Sequence, residues 1–146
     1  MIKINKKDFS VGIVPLYRDS RGVIHACLVL HASGHWAFPK GHQNEGESEK
    51  GTALRELTEE TGIKDIKLDD KTFNEYYTFE KDGVKYDKTI KYFFGFVSEM
   101  SSSIPEEFKH EIADVVWLPY EKALERSTFH ETQKTLRDIV SYVGIQ

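Results

Sequence analysis

The spacing E-x-x-E-E inside one short helix constrains this chain more than any other feature. Residues 49–61 carry the helical signal: Ser48 suits the N-cap, Glu49 complements the positive helix start, and Gly62 suits the C′ stop. At ~100° per residue, Glu56, Glu59 and Glu60 fall on one arc, and Ala53, Leu54, Leu57 and Thr61 fall on a neighbouring one. The apolar arc can dock on a sheet while the acidic arc faces a cleft. Three like charges at that spacing repel unless a cation sits among them. Oxygen ligands alone suit hard cations, Mg²⁺ first and Mn²⁺ as a substitute. Without context, the same pattern also describes a solvated acidic helix face.

The rest of the chain supplies a sheet for that helix. Residues 9–16 and 23–30 are short apolar and β-branched runs separated by the turn-rich 18–22, which predicts a hairpin. Residues 32–47 hold Ser33, Gly34, Pro39, Gly41, Asn44 and Gly46, a composition for a shaped loop rather than a regular element. Residues 72–79 and 88–97 are strand-like around Lys81-Asp82-Gly83, an extended hairpin, and 115–118 is a further strand. Helices are expected over 121–126 after Pro119 and over 128–143, where Leu136, Ile139, Val140 and Val143 recur at helical spacing. Strands and helices mix without regular βαβ alternation, so the fold class is α+β, a sheet covered by helices.

Length bounds the organisation. A chain of 146 residues fits one domain, 1–146, with a real core. A net charge of −4 argues against general affinity for DNA or RNA and leaves polyanions needing a dedicated pocket. Cys27 is the single cysteine and lies in an apolar run, so it reads as a small core residue and no internal disulfide can form. Lys3, Lys6 and Lys7 are not followed by an apolar stretch of signal-peptide length, and no segment has transmembrane length. The expected location is the cytoplasm, with no membrane and no obligate protein partner.

Context then settles the helix. Residues 41–63 read G-HQNEG-E-SEKGTAL-RE-L-T-EE-T-G-I. This resembles the box of the Nudix hydrolases, G-x5-E-x7-R-E-U-x-E-E-x-G-U with U aliphatic, at every fixed position. Ordinary residue frequencies give a chance match on the order of 10⁻⁹ at one starting point. The resemblance implies a Nudix fold: an α/β/α sandwich with a mixed central sheet, a catalytic loop-helix-loop and an extended antiparallel hairpin. It also implies metal-dependent hydrolysis of a phosphoanhydride bond.

Carried over residue by residue, Glu56, Glu59 and Glu60 match the family's metal-binding and base-supplying glutamates. Arg55 belongs with Glu56 and Glu59 in the catalytic set, as the residue that orients the helix. Glu47 braces it, Gly41 and Gly62 complete the box, and the Lys40 carbonyl joins the metal ligands. Glu56 is the first choice as general base. The family varies in this role, so Glu111, in the loop before residues 115–118, is an alternative base and a further acidic ligand.

The flanks bear on substrate. Residues 34–42, GHWAFPKGH, are similar to the W-x-x-P-K-G-H signature of asymmetrical diadenosine tetraphosphate hydrolases, with Lys40 and His42 as phosphate donors. Trp36 and Phe38 read as packing residues. Tyr76-Tyr77 and residues 88–93 resemble the tyrosine- and lysine-bearing strands of the same enzymes. By alternation Lys88, Ile90, Tyr92 and Phe94 share one face, so Lys88 and Tyr92 are expected to point together into a cleft; the resemblance adds Tyr77 as a ligand contact. Phe129 matches an aromatic that would cover the other side of a base. The expected partner is a nucleotide, most simply diadenosine tetraphosphate cut to ATP and AMP. An RNA 5′ end is the enzymatic alternative, and a nucleotide sensor that cuts nothing is the third reading.

Overall fold

The computed structural model describes residues 4–144, so Lys3 lies outside the described residues. β1 (Lys6–Arg18) and β2 (Ile24–His31) form the expected hairpin, antiparallel from Leu16 opposite Ala26 to Arg18 opposite Ile24. Asp19 closes its turn, accepting from the Gly22 N–H through its carbonyl and from the Arg21 and Val23 N–H groups through its carboxylate. The loop expected over 32–47 contains two short strands, β3 (Trp36–Ala37) on β2 and β4 (Lys40–Gly41) on β1. Helix α1 (Glu49–Thr61) follows, and then β5 (Lys67–Leu68).

β6 (Phe73–Lys81) and β7 (Val84–Phe96) form the long hairpin around Asp82-Gly83. Both turn residues have positive φ, 52° and 76°, as a two-residue type I′ turn requires. A 3₁₀ turn (Glu106–Phe108), β8 (Ile112–Pro119), α2 (Tyr120–Arg126) and α3 (His130–Val143) complete the chain.

Among the described residues the strands make one mixed sheet, in the order β3-β2-β1-β7-β5, with β4 beside β1, β6 beside β7 and β8 beside β2. β1 and β7 are parallel from Lys6 opposite Tyr86 to Leu16 opposite Phe96. Alternation sends successive side chains to opposite faces, and both faces are covered. On one face Ala53 and Leu57 of α1 pack with Val11, Ile13, Cys27 and Phe93. On the other, Ala123 of α2 and Leu136, Ile139 and Val140 of α3 pack with Val14, Leu16, Ile90 and Tyr92. This is the α/β/α sandwich, in a mixed α+β fold. Cys27 is a core residue, and burial raises its thiol pKa.

Leu54 departs from expectation. It is exposed, because the docking arc of α1 runs through Thr52, Ala53, Leu57, Glu60 and Thr61 instead. Glu60 is therefore an acidic side chain on the buried arc. No helix among the described residues is long and apolar enough to cross a membrane.

Candidate active site

Ser48 and Gly62 set the ends of α1. The Ser48 hydroxyl accepts from the Gly51 N–H, and Gly62, at φ 76°, donates its N–H to the Thr58 carbonyl. Between these caps Arg55 gathers the box. Its Nε and one terminal nitrogen donate to the two Glu47 carboxylate oxygens at 2.6 and 3.0 Å. Its other terminal nitrogen donates to Glu56 and to Glu59, both at 2.9 Å. The first terminal nitrogen also reaches the His42 carbonyl at 2.9 Å, tying the loop to the helix. Glu47 further accepts from the Asn44 N–H and the Thr52 hydroxyl. The Arg55 bond leads in pulling the Glu47 carboxyl down to about 2.

The glutamates differ in environment. Burial, then the neighbouring Glu56 charge, raises the Glu59 carboxyl. Glu60 is 4% exposed, and burial followed by its contact with Glu56 raises it well above the carboxylate range. One Glu60 oxygen accepts from the Lys40 N–H at 3.2 Å, while the other is buried without a partner. Gly41 admits Glu56: a Cβ there would stand 2.0 Å from the Glu56 carboxylate oxygen.

The residues fit a hard cation on two observations, the orphaned Glu60 oxygen and the Glu56–Glu60 contact of like groups. Among the described residues there is no preformed cage of three acidic or imidazole ligands. Arg55 supplies part of the balancing positive charge, at Glu56 and Glu59, and does not reach the orphaned Glu60 oxygen.

A cleft of about 920 Å³ opens between the β6–β7 hairpin, the β3–β4 segment and the start of α3, with no α1 residue in its lining. Lys40, Tyr77, Lys88 and Phe129 line it. Lys40 joins the two regions: its N–H bonds to Glu60, and its side chain reaches the cleft, where burial and then nearby Lys88 lower its ammonium pKa. Lys88 bonds to the Asp8 carboxylate and the Ser10 hydroxyl, and Asp8 also meets His42. Burial raises the Tyr77 hydroxyl to about 12.

The NUDIX domain pattern matches residues 6–139. The chain belongs to the Nudix family. It is 35% identical to the asymmetrical bis(5′-nucleosyl)-tetraphosphatase of Mus musculus over 116 residues, 76% of each chain. The corresponding Caenorhabditis elegans protein is 29% identical, over 92% of this chain and 96% of its own. The crystal structure of a C. elegans Ap4A hydrolase binary complex superposes with a TM-score of 0.76 at 24% identity, over 92% of this chain and 96% of that one, a likeness of fold.

Within this Nudix chain the expected residues separate into groups. Gly41, Glu47, Arg55, Glu56, Glu59 and Glu60 come together around α1. Glu111 adjoins them through its charge on Glu59, although its own side chain is 59% exposed and lies beside His110. His42 points to Asp8 and is not part of the cleft lining. Tyr92 lies on the expected face but beneath the cleft: it is 0% exposed, edge-on to Phe38, and its hydroxyl is buried without a partner.

Trp36 and Phe38 pack as expected, Phe38 in the core and Trp36 under the Arg126 guanidinium. His35, Glu75 and Thr132 line the cleft and were not anticipated. Alternation along β6 places Glu75 on the same strand face as Tyr77, two residues later. His35 stands immediately before the W-x-x-P-K-G-H segment, stacked on His31 and tilted against Phe129.

Proposed function

We propose that this Nudix protein hydrolyses dinucleoside polyphosphates, with diadenosine tetraphosphate cut asymmetrically to ATP and AMP, and that residues 1–146 do so as one cytoplasmic domain. The observation that carries the reading is the double placement of Lys40, bonded to the glutamate helix through its backbone and lining an aromatic cleft through its side chain. The cleft volume of about 920 Å³ lies near the top of the roughly 300–1,000 Å³ range of ligand pockets. Sequence similarity to asymmetrical tetraphosphatases over most of both chains supports the same substrate class.

Glu56, Glu59, Glu60 and the Lys40 carbonyl would hold Mg²⁺, or Mn²⁺ in its place, with Glu111 as a further ligand from the loop before β8. When bound, the cation neutralises phosphate charge and makes a water acidic enough to be deprotonated near neutral pH. Glu56 would be the residue to take up a proton from water, with Glu111 as the alternative. Arg55 keeps Glu56 and Glu59 in place. Lys40 and Lys88 neutralise the phosphate chain, and Tyr77 and Phe129 provide the faces for a base.

Rates on diadenosine tetraphosphate, ADP-ribose and a 5′-triphosphorylated oligonucleotide, each with Mg²⁺, test the substrate class. The dinucleotide is expected to turn over fastest. A preference for either of the others would overturn the reading.

A further inference from the structure

Lys88 is 6% exposed yet lines the cleft. A buried ammonium is costly unless oxygens replace its water, and those oxygens come from β1. Asp8 and Lys88 are direct partners in the parallel β1–β7 ladder, with an Asp8 oxygen 2.9 Å from the ammonium. Ser10, two residues along β1 and on the same face, accepts from Lys88 at 2.5 Å. An ammonium has three donors, so these two bonds leave one for the cleft.

The second Asp8 oxygen lies 2.8 Å from His42 Nε2. His42 follows β4, and its carbonyl accepts from Arg55, which holds Glu56 and Glu59. A continuous run of bonds thus joins the glutamates to the cleft lysine through Arg55, His42 and Asp8.

We infer that Asp8 is a positioning residue that holds the Lys88 ammonium at the cleft, so that Lys88 grips a polyphosphate chain bound there. The inference rests on the reading of the cleft as a polyphosphate site. Asp8 touches no substrate in this role, and its effect passes through Lys88.

The test is a double-mutant cycle on Asp8→Asn and Lys88→Gln. Binding of inorganic tripolyphosphate with Mg²⁺ is measured by calorimetry, and steady-state constants on diadenosine tetraphosphate are measured in parallel. Asp8→Asn keeps the side-chain shape and removes the charge, which guards against misfolding. It is expected to weaken tripolyphosphate binding and raise KM about tenfold, the size of one charge-assisted bond, with kcat changed less than about threefold. Added to Lys88→Gln, it is expected to have no further effect on either quantity.

Affinity and KM unchanged in Asp8→Asn, or effects of the two substitutions that multiply, would overturn the inference. Wild-type binding of tripolyphosphate without turnover of the dinucleotide, with the non-additive loss intact, would leave Asp8 in its role and overturn the substrate reading. Absence of wild-type tripolyphosphate binding would overturn both.

Discussion

A methyl group at position 41 would displace Glu56. The added carbon would lie 2.0 Å from one carboxylate oxygen and 2.2 Å from the carboxyl carbon, so the side chain must move. Gly41→Ala is therefore expected to lower kcat about 100-fold, the cost of roughly an ångström of misplacement, while the melting temperature changes little. Steady-state kinetics beside a thermal melt checks this, and an unchanged kcat would refute it. Glu60 supplies the opposite case. It buries a carboxylate with one orphaned oxygen, so Glu60→Gln is expected to raise the melting temperature in chelator and to remove the gain that Mg²⁺ gives the wild type. Calorimetry with and without Mg²⁺ reads both effects. The glutamates and Arg55 were legible because they lie within one helix, where spacing fixes their neighbours. Asp8 and Glu75 were not, since their partners Lys88 and Thr135 are 80 and 60 residues away in sequence.

Helix α1 was legible at both ends. Its N-cap is the bond from the Gly51 N–H to the Ser48 hydroxyl, and Ser48→Ala is expected to cost about 1 kcal/mol in urea unfolding. No loss of stability would mean that the Ser48 bond does not support the helix. Between β6 and α3, Glu75 is 6% exposed and accepts from the Thr135 hydroxyl. Burial raises its carboxyl pKa above the usual value. Its contribution to stability is then full below the unfolded pKa, about 4.3, and is lost as pH rises through the folded value. Glu75→Gln is expected to gain stability over the wild type on going from pH 4 to pH 8. Urea unfolding at both values would show this, and an equal margin at both would contradict it. The two-residue strands β3, β4 and β5 were not legible, because so short a run has no period.

For the whole molecule, the α+β class and the helix-covered sheet were legible from the succession of apolar runs. The parallel pairing of β1 with β7 was not, since nothing local to either strand selects a partner some 80 residues distant. That pairing sets Asp8 beside Lys88, and the β6–β7 hairpin carries Tyr77 to the same cleft. The site is thus divided between a local motif, read directly, and a cleft that exists only once distant strands pair. One measurement joins the two parts: chromatographic analysis of the products from diadenosine tetraphosphate, with Mg²⁺ and with chelator. ATP and AMP in equal amounts, formed only with the cation, are predicted. ADP as the main product, or turnover unaffected by chelator, would contradict the account.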